Sequence, residues 1–270
     1  MKNFALRMKE LRTAAGLSQD AAAKKLNISL PTYCRYEYNQ REPNASTIAA
    51  MAQLYQVSID YLFGLDSPPA EMPKFILASN SPRRKELLGQ MGITDFKVSA
   101  PNVDESVEDG LTPPQIVEQL SQRKAQAAAK KAGASDLIIA ADTVVALDGA
   151  VLGKPHSESE AFSMLTALSG REHHVYTGVT VLQGEKAVTE HEETAVLFRD
   201  ITPDEIRGYI ATGEPMDKAG AYGIQGLGAL LVSGIRGDYC NVVGLPVFRL
   251  GRILAGFGID LLQNKEQAKP

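Results

Sequence analysis

A single carboxylate, Asp142, follows the apolar run Leu137-Ile138-Ile139-Ala140-Ala141 and precedes Thr143-Val144-Val145. An acid emerging from a buried strand must find a cation or hydrogen-bond donors, because an unpaired buried charge is too costly. Activating a water or binding a metal would satisfy it, and so would backbone amides around a purely structural aspartate. Upstream, Phe75-Ile76-Leu77-Ala78 runs into Ser79-Asn80-Ser81-Pro82-Arg83-Arg84 and then a helical stretch from Lys85 to Met91. Small polar residues at a helix N-terminus offer amides and hydroxyls to an anion, and two arginines add forked, charge-assisted bonds to phosphate. A capped helix with solvated arginines would use the same residues. The Walker loop is excluded, since its glycine spacing and terminal Gly-Lys-Ser/Thr are absent.

Other clusters could join this chemistry. Gly153-Lys154-Pro155 sets a lysine between two residues that fix the backbone, suiting a point charge aimed at phosphate or an ordinary surface turn. Asp104 and Glu105 stand in a Pro/Asn-flanked loop. A hard divalent cation bridging triphosphate oxygens needs such oxygen ligands, although most loop acids are only solvated. His173 and His174 precede Val175-Tyr176-Thr177-Gly178 on a strand, where neighbours face opposite sides and cannot share one metal, so both read as structural. The glycine-rich stretches EPMDKAGAYGIQGLG (214–228) and GDYCNVVGLP (237–246) suit loops whose backbone approaches a ligand closely.

The elements that must carry these residues fall into two groups. Apolar positions from Phe4 to Phe63, among them Leu6, Leu11, Met51, Ile59 and Leu62, are spaced as faces of short helices, with no strand pattern. Residues 64–73 then include Gly64, Ser67, Pro68, Pro69 and Pro73, which favour an extended connection. Beyond it, strands at Lys74 to Ala78, Asp136 to Ala146 and Val175 to Leu182 alternate with helices at Pro82 to Met91, Pro113 to Lys131, Glu158 to Leu168 and Asp204 to Thr212. The expected division is a helical domain over 1–66, a linker over 67–73, an α/β domain over 74–262 and a polar tail over 263–270. Hydrophobic residues at 44% and charged residues at 22% fit a globular protein rather than a disordered or fibrous one. The net charge of -4 is unevenly split: residues 1–70 carry eight Lys/Arg against six Asp/Glu, leaving the acidity to the rest. That asymmetry fits a small nucleic-acid-facing module joined to an acidic enzyme. No apolar run is long enough for a membrane span, and the basic N-terminus lacks the apolar core of a secretory signal. Cys34 and Cys240, 206 residues apart and without close Cys or His partners, read as reduced thiols in a cytoplasmic protein.

Within the helical part, Ser18 can cap a helix beginning at Gln19 and Asp20, Asn27-Ile28-Ser29 supplies a tight turn, and Ser29 with Pro31 starts a second helix running to Tyr38. This pattern, followed by RYEYNQREPNASTIAAMAQLYQVSIDYLFG, resembles the Xre or lambda-repressor class of helix-turn-helix domain. The resemblance implies double-stranded DNA as partner, with the second helix in the major groove, Thr32 and Arg35 contacting bases or phosphates and Gln19 a phosphate. A helical bundle used for protein contact is the alternative. Tyr33, Tyr36 and Tyr38 read as core and flanking aromatics, because this class does not read bases by stacking.

In the α/β part, ASNSPRRKELL, NVDES, AADTVV, GKP, HHVYTGV, DKAGAYGIQG and YCNVVGLP occur in the order seen in Maf-like proteins. These are nucleotide pyrophosphatases related in fold to the inosine triphosphate pyrophosphatases. The resemblance implies a two-lobed α/β fold on a long mixed sheet, and cleavage of a nucleoside triphosphate into monophosphate and pyrophosphate. Asp142 matches the family's catalytic proton acceptor, and Glu105 its second acid, the two serving Mg²⁺ or Mn²⁺. Arg84 and Lys154 match its phosphate-facing cations. Arg83, Thr143 and Gln225 match positions that separate subgroups by base, in a combination that resembles the dTTP/UTP subgroup. A nucleotide-sensing regulator with a non-catalytic domain is the competing expectation, against which the intact Asp142, Glu105, Lys154 and Arg84 weigh. Whether the chain forms a homodimer is left open.

Overall fold

The computed structural model describes residues 2–65, 73–108 and 110–262. The chain divides into two compact units, Met1–Met72 and Pro73–Pro270. The expected tail over 263–270 and nearly all of the expected linker lie outside the described residues.

Unit one comprises α1 (Lys2–Ala14), α2 (Gln19–Lys25), α3 (Leu30–Glu37), α4 (Ala45–Tyr55) and α5 (Ile59–Phe63). Four of these helices begin at a side-chain cap: Ser18, Ser29, Asn44 and Ser58 accept from Ala21, Thr32, Thr47 and Tyr61 amides respectively. Asn27, with φ at +53°, turns the chain between α2 and α3, a conformation asparagine tolerates better than most residues. Phe4, Met8, Ala22, Ala23, Leu26, Tyr33, Tyr36, Met51 and Leu62 form one core. Leu6 and Ile59, expected on helix faces, lie exposed. Of the three tyrosines, Tyr33 and Tyr36 are buried and Tyr38 is exposed, the division expected of core and flanking aromatics.

Unit two comprises β1 (Phe75–Leu77), α6 (Pro82–Gln90), β2 (Phe96–Val98), α7 (Pro113–Ala129), β3 (Leu137–Leu147), β4 (Ala150–Leu152), α8 (Glu158–Leu168), β5 (Glu172–Gln183), β6 (Lys186–Phe198), α9 (Pro203–Ala211), β7 (Val232–Arg236), α10 (Tyr239–Val243) and α11 (Val247–Gly256). Short 3-10 turns occur at Glu214–Asp217, Ala219–Ala221 and Leu227–Leu231. The strands form a mixed seven-stranded sheet in the order β2-β1-β3-β5-β6-β7, with β4 beside β3. β1 pairs in parallel with β2 and β3, and the remaining pairings are antiparallel.

Because strand side chains alternate, β3 feeds two cores. Ile138 and Ala140 pack with Ala125 and Ala128 of α7. Leu137, Ile139 and Ala141 pack with Leu87 and Leu88 of α6 and Leu250, Ile253 and Leu254 of α11. The α7 backbone comes so close to β5 that a Cβ on Gly178 would collide with the Val117 carbonyl, so only glycine fits there.

β3 is paired with β5 from Ile138 to Ala146. On its other edge, β1 covers Leu137 to Ile139 and β4 covers Val145 to Leu147. The interval between them contains Asp142 and Thr143. Asp142, at the end of the apolar run but within the expected strand, lies mid-strand, at a gap in the sheet where β1 has stopped and β4 has not begun.

Candidate functional site

At that gap Asp142 is buried and faces α7, while Thr143 faces α6. Lys124 of α7 donates to Asp142 Oδ1 at 2.5 Å and lies 2.8 Å from Glu105 Oε1. One ammonium thus gathers both expected acids. The contact with Lys124 holds the Glu105 carboxyl below the usual carboxylate range, with Lys154 and Arg84 adding to the effect. Asp104, the other acid of the pair, bonds the Ser106 amide and hydroxyl at 2.9 and 2.8 Å and closes its own turn. Arg123 grips the same loop through the Asp104 and Ser106 carbonyls, which leaves Glu105 aimed at Lys124.

The Ser79–Arg84 stretch leads into α6. Ser81 occupies the cap position of α6 without a side-chain cap bond, and Pro82 follows in the first turn. Amides of that turn are therefore not satisfied by a side-chain cap and sit at the positive end of the helix dipole. Arg84 is not a solvated surface charge. Its Nε donates to the Gly244 carbonyl at 2.8 Å, Nη1 to Ser79 Oγ at 3.2 Å and Nη2 to Thr143 Oγ1 at 3.1 Å. Burial loosens the hold of Arg84 on its proton and the charge of Asp142 opposes that; a guanidinium stays charged in such a place. Donors remain on both terminal nitrogens for an incoming anion.

Behind Arg84 runs a buried polar chain. Thr143 Oγ1 pairs with Thr177 Oγ1 at 2.9 Å, and Thr177 donates to the Asn241 carbonyl at 3.0 Å. Asn241 Nδ2 donates to the Val175 carbonyl and to Thr194 Oγ1, both at 2.9 Å. The glycine-rich YCNVVGLP stretch therefore supplies α10 and the Gly244 carbonyl, which fix the arginine from behind.

The turn Asp148-Gly149, with positive φ at both residues, folds β4 back onto β3. Next comes the exposed Lys154, its loop pinned by the Gly220 amide donating to the Gly153 carbonyl at 3.0 Å. Gly220 in turn packs on Val145, two residues past Thr143 and on the same face of β3. Gln225 is exposed on the segment that follows. Arg83 is partly exposed, and its charge lowers the Asp217 carboxyl, after the larger effect of Lys218. The structure thus groups Asp142, Glu105, Arg84 and Thr143 around one site, with Lys154 near enough to act on Glu105. Gln225 and Arg83 lie on neighbouring segments and make no bond to that group.

Lys124 escaped the sequence reading. A signal was present: Val117, Ser121, Lys124 and Ala128 recur along one stripe of α7, and a lysine amid buried positions calls for an acid. His173 is buried, bonded through Nε2 to Tyr222 Oη at 2.8 Å and packed edge-on against Phe198, while His174 faces Glu193 on the other side. The two rings thus lie on opposite faces of the sheet, as expected of strand neighbours, with His173 in the core.

In the helical unit, Arg35 is exposed on α3, and Thr32, partly exposed, bonds Ser29 Oγ at 2.8 Å. Gln19 at the start of α2 reaches Tyr38 Oη and Cys34 Sγ, each at 3.5 Å. Beneath them Arg12 and Glu37 form a two-bond pair at 2.8 and 3.0 Å that ties α1 to α3. Both cysteines are free thiols, and among the described residues no helix is long and apolar enough to cross a membrane.

Fold and site together define unit two as a mixed α/β unit with paired acids and clustered cations at a break in its sheet. The chain belongs to the Maf-like protein family, whose profile matches residues 74–257. A helix-turn-helix profile matches residues 8–62. Over 194 residues the chain is 55% identical to a dTTP/UTP pyrophosphatase of Moorella thermoacetica, covering 70% of this chain and 98% of that one. It is 50% identical over 190 residues to a dTTP/UTP pyrophosphatase of Symbiobacterium thermophilum, covering 70% and 97%. Among solved structures, a dITP/XTP pyrophosphatase from Mycobacterium abscessus aligns at 17% identity, covering 68% of this chain and 98% of that one, with a TM-score of 0.37. The P22 c2 repressor in complex with a synthetic operator aligns at 27% identity, covering 23% and 96%, with a TM-score of 0.23. Scores this low bear on neither fold nor function.

Proposed function

We propose that unit two hydrolyses dTTP and UTP to the monophosphate and pyrophosphate in the cytoplasm, and that unit one binds double-stranded DNA. The observation that carries the enzymatic reading is the meeting of Asp142 and Glu105 on one ammonium at the gap in the sheet. Relatives at about half identity over the whole unit carry the name dTTP/UTP pyrophosphatase, which supports this substrate pair.

In this reading the triphosphate lies across the N-terminus of α6, held by Arg84 and by Lys154 from the opposite loop. Asp142 accepts a proton from a water whose oxygen bonds to the α-phosphorus, and the P–O bond to the β-phosphate breaks, releasing pyrophosphate. Lys124 sets the direction of the Asp142 carboxylate and offsets charge gathering on the phosphates. Arg83, Thr143 and Gln225 select the base. Among the described residues no cluster of three or more His, Cys, Asp or Glu is arranged for a metal. Asp142 and Glu105 nonetheless fit a hard divalent cation, because both are oxygen donors already brought to one positive centre and substrate phosphates can complete the set. When bound, Mg²⁺ or Mn²⁺ would neutralise phosphate charge in the transition state.

Product analysis with dTTP, UTP, dGTP and ATP in Mg²⁺ or Mn²⁺ tests the proposal. The pyrimidine triphosphates are expected to yield monophosphate and pyrophosphate. Diphosphate with orthophosphate, or equal rates on purines, would contradict it.

A further inference from the structure

We propose that Glu214 is a positioning residue for base selection, its carboxylate folding residues 223–228 so that Gln225 meets the base; this rests on Gln225 being the base-reading residue. Glu214 is anchored at the end of α9, its amide donating to Thr212 Oγ1 at 3.2 Å. From there its side chain reaches across to the glycine-rich segment. Oε2 accepts from the Leu227 amide at 2.9 Å, and Oε1 accepts from the Gly228 amide at 3.1 Å and from Tyr209 Oη at 2.8 Å. Tyr209 Oη accepts in turn from the Gly223 amide at 3.1 Å. One carboxylate and one phenol therefore hold both ends of a six-residue segment with Gln225 near its middle.

The glycines show how closely the backbone is drawn in. A Cβ on Gly226 would collide with the Glu214 carboxylate, and one on Gly228 would lie 2.6 Å from both Tyr209 Oη and the Gly223 carbonyl. At Gly228, where one of the opposing atoms is backbone, only glycine fits so close. Burial raises the Glu214 carboxyl, but the Gly228 and Leu227 amides and the Tyr209 hydroxyl outweigh it and leave the group below its ordinary range, as an ionised acceptor. Bonds from amides to a carboxylate are roughly twice as strong as neutral ones, so the segment is held firmly although Gln225, Gly226 and Leu227 are exposed. A displaced selector forfeits discrimination without touching the acids or cations that act on the phosphates.

The test measures kcat/KM on dTTP and dGTP for wild type, Glu214→Gln, Gln225→Ala and the double variant. Glutamine retains the size but turns one acceptor into a donor against an amide. Each single variant is expected to lower the dTTP to dGTP ratio about tenfold, and the double variant no further than the larger single loss. If Gln225→Ala lowers the ratio while Glu214→Gln leaves it unchanged, or if the two losses multiply, the positioning role is overturned. An unchanged ratio in Gln225→Ala removes the base-reading assignment itself and the proposal with it. Should Glu214→Gln fail to fold, Tyr209→Phe, which deletes one donor and the Gly223 contact, decides between the same outcomes.

Discussion

Lys124 and Asp142 meet at 2.5 Å across the joint between α7 and β3, at the one stretch of β3 that neither β1 nor β4 covers. Replacing Lys124 by methionine keeps the stem that packs on the sheet and deletes the charge. In the proposed mechanism Asp142 and Glu105 then lose their common partner, and kcat/KM for dTTP falls roughly 10²- to 10³-fold. Steady-state kinetics beside a thermal melt check this, with the melt expected to fall as well, because the side chains of the pair are only 14% and 11% exposed and the variant leaves Asp142 without its cation.

Gly178, which pairs with Asp142 across the sheet, sets how closely α7 approaches. Alanine there must push against the Val117 carbonyl, which is backbone and cannot swing aside. A loss of about 2–4 kcal/mol in a denaturant titration is expected, with a drop in activity as Lys124 moves with α7. Gly208→Ala is the control: it lies within α9 with nothing near its Cβ direction, and a gain of ~0.5–1 kcal/mol is expected.

Much of this arrangement was legible in the sequence because the informative strands bury apolar residues on both faces. β1 and the first half of β3 read as unbroken apolar runs, and the helices from α6 to α9 announced themselves by periodicity. β6 did not. Its Thr189-Glu190-His191-Glu192-Glu193-Thr194 stretch gives no apolar alternation, because Glu190 and Glu192 bond Arg249 and His191 bonds Glu118 across the two faces. That Asp104 closes a turn on Ser106 while Glu105 reaches Lys124 was beyond the sequence as well, since both contacts depend on how the loop folds. Lys124 stayed hidden because its role arises only when α7 crosses β3, a tertiary fact to which the stripe on α7 merely pointed.

His173 gives a pH signature. Burial, with help from the neighbouring His174, lowers its pKa from the ordinary 6.5 to about 4. The unfolded chain therefore binds this proton more tightly than the folded one between those values, and folding stability falls as pH drops from about 6.5 toward 4. The loss approaches ~3 kcal/mol at the lower limit. Denaturation midpoints across this range should flatten in His173→Gln relative to wild type after its overall loss of stability is taken into account.

For the helical unit, Arg35→Ala is expected to abolish or strongly weaken a salt-dependent shift of double-stranded DNA, since Arg35 is exposed on α3 and α3 is the helix expected in the groove. Titration at two salt concentrations checks it. Unchanged affinity with an unchanged salt slope would remove Arg35 from the interface.

The most direct test of the central account is pyrophosphate release from dTTP by wild type and Asp142→Asn, each verified as folded. Asparagine preserves the shape of the side chain and cannot accept the proton from water at the same cost. The account predicts release by wild type and a loss of at least about 10²-fold in kcat for Asp142→Asn, with nucleotide binding retained. Undiminished release by Asp142→Asn, or none by wild type on any triphosphate, would contradict it.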